Sequence, residues 1–91
     1  MNKFIVVCWY NEIPYMLQYR NVVNYYFYNN RIKVFKTSKT AIATANKLSR
    51  KYLNSSVKVY TINDNDYVGT DYIRNWDNSE KERIVFEIKN F

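Results

Sequence analysis

The chain has no histidine, one glycine, one proline and one cysteine in 91 residues, and only eight acids against fourteen Lys and Arg. Each shortage excludes something. Without His there is no imidazole acid or base, no Ser-His or Cys-His nucleophilic unit and no His metal ligand. The lone glycine, Gly69, cannot build a glycine-rich phosphate loop. The lone cysteine, Cys8, excludes an internal disulfide framework, and its apolar surroundings mark it as a small buried hydrophobe rather than a nucleophile. Long hydrophobic runs are also missing. The longest, Phe4-Ile5-Val6-Val7-Cys8-Trp9-Tyr10, falls far short of the roughly 20 residues that span a bilayer, so no membrane partner is expected. One Lys precedes that run and no small-residue cleavage site follows it, so a secretion signal is not expected and the cytoplasm is the expected compartment.

What is present points to one domain, 1–91, with a modest core. Apolar residues make up 47% of the chain, too many for a disordered segment. Ten Tyr, five Phe and two Trp supply bulky core or interface material. Charge is uneven: residues 1–58 carry a net +9 and residues 59–91 a net −3. The first part could attract a polyanion, or the two parts could neutralise each other on folding. Asn, Lys, Ile and Tyr share A/T-rich codons, so mutational bias accounts for some of the basic, tyrosine-rich character.

The one clear helical period spans about 38–53. Ala41, Ala45, Leu48 and Tyr52 share a face, with Ile42 and Leu53 at its edge. Thr37 or Ser38 suits the N-cap and Asn54 the C-terminal end. Strand patterns surround this helix. Lys3–Tyr10 is apolar on both alternating faces, which marks a central strand. Asn11-Glu12-Ile13-Pro14 reads as a turn and Tyr15–Arg20 as the returning strand. Residues 22–28 read as strand, with a helix over 20–28 as the alternative, and Asn29-Asn30 as a turn. Residues 31–36 extend into the helix. Ser56–Ile62 is a strand, and 71–76 with 83–89 form two arms of a hairpin. The expected fold is α+β: a mainly antiparallel sheet of about five or six strands with the helix on one face. One helix covers one face only, so the far face is expected to be aromatic and partly exposed, or covered by a partner.

Three sets of residues carry candidate chemistry. Asp64, Asp66 and Gly69 match the first, third and sixth positions of a calcium loop. Val68 and Asn75 stand where oxygen ligands are required, so neither a metal nor any other cofactor is expected. Arg31, Lys33, Lys36, Lys39, Lys47, Arg50 and Lys51 form a basic set, either a solvated helix face or a polyanion site with Tyr25, Tyr26 and Tyr28 as base-stacking platforms. No RNA-recognition signature, helix-turn-helix pair or zinc spacing accompanies it. Tyr15, Tyr19 and Tyr60 are candidates for a protein interface or for ordinary packing. Asp64, Asp66, Tyr67, Asp71 and Trp76 add an acidic, aromatic stretch to the interface candidates.

The stretch Val34-Phe35-Lys36-Thr37-Ser38-Lys39-Thr40-Ala41, with Ala45, Leu48 and then Val57-Lys58-Val59, resembles small proteins carried by phages and mobile elements. These join a strand hairpin to a "Phe-Lys-Thr/Ser, Ala-rich helix, Val-x-Val" unit. The resemblance covers residues 32–60 and is one of packing, so no catalytic residue transfers. The class includes anti-CRISPR and other anti-defence proteins. The resemblance thus implies a non-enzymatic inhibitor that occupies a surface of a host or phage protein complex in a bacterial cell. The basic net charge departs from the acidic, DNA-mimicking members, leaving only 64–82 for local mimicry. The alternatives are a basic nucleic-acid-binding module and a homo-oligomeric accessory protein, such as a homodimer.

Overall fold

A computed structural model describes residues 3–18, 21–23, 32–63 and 80–89. The elements are β1 (Lys3–Tyr10), β2 (Ile13–Gln18), β3 (Asn21–Val23), α1 (Ser38–Lys51), β4 (Ser56–Ile62), a four-residue helical turn α2 (Glu80–Arg83) and β5 (Ile84–Lys89). The strands hydrogen-bond in the order β3-β2-β1-β4-β5, all antiparallel. The fold is therefore α+β with one main helix. Among the described residues the sheet has four strands of six to eight residues and three-residue β3 at one edge, slightly fewer than the expected five or six full strands.

β1 is central, as its two apolar faces require. Val6 and Cys8 point to the helix side and pack with Ala41, Ala45, Leu48, Val57 and Val59. Ile5 and Val7 point the other way and pack with Met16, Ile32, Tyr60 and Ile62. All four of these β1 side chains are fully buried. On that far face Ile5, Val7, Met16 and Tyr60 are buried within the chain, whereas the aromatic Trp9 near the β1–β2 turn is only half-buried.

α1 lies over β1, β4 and β5. Ala41 and Ala45 are fully buried on its inner face, and their small side chains let the helix backbone approach the sheet. Thr37 caps the start, its Oγ1 accepting from the Thr40 N–H at 3.3 Å. The helix ends at Lys51, earlier than the periodicity predicts. The Tyr52 N–H still donates to the Leu48 carbonyl, and Asn54 takes a positive φ of 66°. Asn tolerates that conformation better than other side-chain-bearing residues. Leu53 consequently leaves the helix face and is 65% exposed.

The first hairpin is tighter than the predicted four-residue turn. Only Asn11 and Glu12 form the turn, Asn11 at φ 58°, and Ile13 and Pro14 already belong to β2. Pro14 faces Trp9. In a two-residue hairpin the closing pair, here Tyr10 and Ile13, exchanges hydrogen bonds and the next pair does not. Pro14 therefore occupies a position where its missing N–H costs nothing.

The predicted extended piece before α1 is present, but it fills a fork. The β1–β2 register ends at Val7 and Met16. Beyond it, Phe35 exchanges two backbone hydrogen bonds with Phe4, at 2.9 and 2.8 Å, and the Lys33 N–H donates to the Leu17 carbonyl at 2.9 Å. Ile32 and Phe35 turn to opposite faces, one into each core cluster. At the other edge, Val59 pairs with Phe86 but Tyr60 pairs with Ile84, leaving Val85 as the extra residue of a bulge, 44% exposed. Of the remaining expectations, residues 24–31 and the 71–76 arm lie outside the described residues. The second arm begins one residue later than predicted, because Arg83 closes α2.

Two substitutions separate packing from capping. Ala45→Leu forces side-chain bulk between α1 and the sheet and is expected to cost about 1–3 kcal/mol. Thr37→Ala removes only the cap and is expected to cost about 1 kcal/mol. Urea unfolding midpoints of the two variants measure both, and an Ala45→Leu midpoint no lower than that of the unaltered chain would contradict the close helix–sheet approach.

Candidate functional site

Two polar surfaces emerge from this frame. The first is the outer face of α1. Because the inner positions are Ala41, Ala45, Leu48 and Tyr52, the helical period turns Lys39, Lys47, Arg50 and Lys51 outward, and all four are exposed. Ser38–Lys51 contains no acid. Arg50 and Lys51 lie in the last turn, where the helix dipole favours positive charge. The Lys51 ammonium rests 5.2 Å from the centre of the Tyr52 ring. Lys33 and Lys36, in the segment leading into α1, are also exposed, with the Lys33 ammonium 5.7 Å from the Phe35 ring centre. Six of the seven predicted basic residues are therefore exposed on α1 and its leading segment; Arg31 lies outside the described residues.

Two of the three candidate interface tyrosines, Tyr15 and Tyr60, lie on opposite faces of the sheet. Tyr15 is half-buried on the helix side of the sheet, its ring edge-on to Tyr10 at 5.5 Å and 86°. Tyr60 is fully buried on the opposite face, where its hydroxyl accepts from the Trp9 indole N–H at 2.9 Å. Tyr60 therefore cannot meet a partner, because β4 turns it inward beside Ile5. Tyr19, Asp64, Asp66, Tyr67, Asp71 and Trp76 lie outside the described residues, as do Tyr25, Tyr26 and Tyr28. Among the described residues no group of three or more acids or cysteines is placed to hold a metal. No described helix is long and apolar enough to cross a membrane.

The second surface was not anticipated. An open cleft of about 370 Å³ lies on the face away from α1, at the β1–β2 turn end of the sheet. Strand register builds its floor. Trp9, Ser56 and Lys89 stand side by side on β1, β4 and β5, with Lys58 and Glu87 in the next row. The Lys58 ammonium sits 5.4 Å from the Trp9 ring centre and 3.7 Å from the Glu87 carboxylate. The Ser56 hydroxyl donates to the same carboxylate at 3.4 Å. Among the described residues, Asn11 and Glu12 of the turn also line it. The alternation of Lys58 against the inward Val57 and Val59 was readable in the sequence. Its meeting with Trp9 and Glu87 was not, because that depends on the register of three strands.

Cys8 sits on the helix side of β1, fully buried. Burial pushes its thiol up to about 12 from an ordinary 9.0. The Tyr10 phenol is also raised, by burial first and by nearby Cys8 second. Such a thiol is protonated and shielded at neutral pH, which removes it as a nucleophile.

The sign of the resulting pH dependence follows. Between about 9 and about 12 the unfolded chain releases the thiol proton while the folded chain keeps it, so stability falls as pH rises through that window and is unaffected by this group below it. Urea titrations at pH 8 and at pH 10 are expected to show a decline of up to about 1.4 kcal/mol per pH unit from this group. Cys8→Ala should lose that share and leave the tyrosine share. No protein family, curated protein or solved structure matches the chain.

Proposed function

We propose that the chain is a small non-enzymatic binding protein of the phage accessory type, which occupies a surface of a host macromolecular complex in a bacterial cell and blocks it. The observation that carries this reading is the outer face of α1: four exposed cations on a helix without an acid, held on a sheet by a buried Ala-rich face. Such a face is complementary to an acidic protein surface, and fixed charge of one sign raises the rate of encounter and rejects like-charged partners. The inert, buried Cys8 supports a role in binding rather than catalysis. A further strand from 71–76, completing the sheet of five or six strands, belongs to the same proposal.

A second reading draws on the same charges. With Lys33 and Lys36 exposed as well, the basic surface extends past the helix start, which suits the phosphate backbone of a nucleic acid. A homo-oligomeric accessory role is a third reading, which light scattering on the purified chain tests directly.

Charge reversal separates the first two. The wild-type chain and Lys47→Glu/Arg50→Glu, each tagged, are incubated with a bacterial lysate with and without nuclease. The expected result is a reproducible protein complex that survives nuclease and weakens at least about tenfold in the variant. Loss of the complex on nuclease treatment, together with steeply salt-dependent binding to purified DNA or RNA, would replace the first reading by the second. Equal capture by both chains would sink the role of α1 altogether.

A further inference from the structure

We infer that the outer face of α1 docks against a single acidic α-helix of a partner protein, running antiparallel to it, with an apolar side chain of that helix seated on Ala43. The inference rests on the reading of α1 as a protein-binding face and names the shape of what it binds. Lys39, Ala43 and Lys47 fall four residues apart on α1, and all three are exposed. Residues at that spacing form one ridge, which rises about 6 Å per step. Arg50, also exposed, stands three residues beyond Lys47 on the same side of the helix. Along the axis the stripe therefore runs cation, methyl, cation, cation. Lys39 and Lys47 are separated by about 12 Å of helix rise. The side chain between them is a single methyl group, so the ridge has a notch at Ala43. Ser38–Lys51 contains no acid, so no carboxylate of α1 itself offsets these cations.

The notch favours a protein helix over a nucleic acid. A nucleic-acid strand carries a charge at every nucleotide, so a strand laid along the ridge brings charge against Ala43, where no cation meets it. A helix repeats with the period of α1 and can be charged at some turns and apolar at others. In the antiparallel sense, partner positions i, i+3, i+7 and i+11 come opposite Arg50, Lys47, Ala43 and Lys39 in turn. A helix that is acidic at the first, second and fourth of these positions and apolar at the third satisfies the whole stripe. The methyl at Ala43 lets the two axes approach to the close end of the usual 8–10 Å range. That approach brings the flanking carboxylates within reach of the Lys and Arg side chains, and Arg50 offers one of them a bidentate fork. The orientation follows from the helix dipoles. The last turn of α1 holds Arg50 and Lys51, and an antiparallel partner sets its own N-terminal turn, where acids are favoured, beside them.

The probe is the end-capped, Ala-rich helical peptide AQEAAEAQALAQAEAQA, whose Glu and Leu residues follow that spacing. It is titrated into the isotopically labelled full chain at about 0.1 M salt, and the backbone amide resonances are followed. Saturable shifts centred on Lys39 to Arg50 are expected, with a half-point at or below about 1 mM. Lys47→Glu/Arg50→Glu should weaken binding at least about tenfold. Ala43→Lys is the deciding variant. It changes an exposed position to another good helix former, adds a cation to the stripe and fills the notch. It should weaken the peptide severalfold, whereas attraction by charge alone would tighten it. The same peptide with Glu in place of Leu should reverse that preference and bind Ala43→Lys more tightly than the unaltered chain. The inference is overturned if the Leu peptide gives no saturable shift on α1 by about 1 mM, or if Ala43→Lys binds it as tightly as the unaltered chain does. If it is silent while a short thymidine oligonucleotide shifts the same amides, the face belongs to a nucleic acid. The acidic-surface reading is tested separately, by the nuclease-resistant complex from lysate. If Lys47→Glu/Arg50→Glu still loses that complex while the peptide fails, the acidic surface stands and the helix is removed.

Discussion

Everything described in this molecule follows from one strand that has no polar face. Along β1 the chain alternates Phe4, Val6, Cys8 and Tyr10 with Ile5, Val7 and Trp9, so neither side of the strand can be left to solvent. Burying one such side chain is worth about 1.5–3 kcal/mol, and four of them are fully buried here. The strand must lie inside the sheet, and the sheet must be covered on both sides. β2 and β4 meet the first requirement by pairing along its two edges. α1 meets the second on one face. On the other, Met16, Ile32, Tyr60 and Ile62 close around Ile5 and Val7.

The segment before α1 shows how strongly that constraint acts. A hairpin that diverged after Val7 and Met16 would leave the Phe4 amide and carbonyl unpaired beside an apolar core, at a cost of about 1–3 kcal/mol for each buried group. Phe35 satisfies both, and the adjacent Lys33 satisfies the Leu17 carbonyl. The same short segment sends Ile32 to one face and Phe35 to the other. It closes the fork and seeds both core clusters immediately before the chain turns, at the Thr37 cap, into the helix. The start of α1 is therefore fixed by the sheet as much as by its own capping residue, and the orientation of the outer basic face is fixed with it.

The parts of this arrangement that could be read from the residues are those governed by local periodicity. The two apolar faces of β1 identify a central strand, and the Ala41, Ala45, Leu48 spacing identifies the buried side of α1. The β-branched alternation of Val57 and Val59 identifies β4 with its bounds. What could not be read depends on contacts between elements. A proline is ordinarily a reason to end a strand, yet Pro14 falls at a pair that exchanges no hydrogen bonds, and β2 runs through it. Tyr60 follows the same alternation as Lys58, but only the register opposite Ile5 decides that the tyrosine is buried while the lysine reaches the cleft. Leu53 fits the helical period and still ends up exposed, because the helix stops at Lys51 and Asn54 adopts a positive φ. The cleft itself has no local signature, since Trp9, Lys58 and Glu87 are brought together by two strand pairings.

The two polar surfaces also differ in kind, and the difference comes from the elements that carry them. A helix whose inner face is apolar presents its remaining positions as one continuous outer stripe. In α1 those positions hold Lys39, Lys47, Arg50 and Lys51 with no acid among them, so the charges add. At the far end of the sheet, cross-strand neighbours come from three separate stretches of sequence, and the acid-rich end of the chain supplies Glu87 opposite Lys58. There the charges offset. The uneven charge of the sequence, basic at first and acidic later, is thus partly neutralised where β5 lies beside β4 and fully expressed where α1 faces away. A long-range field extends from the helix face, weakening over about 10 Å at 0.1 M salt. The cleft acts only on what touches it. The net +6 of the chain therefore describes neither surface: it understates the helix face, where charges of one sign add, and overstates the cleft, where Lys58 and Glu87 offset each other.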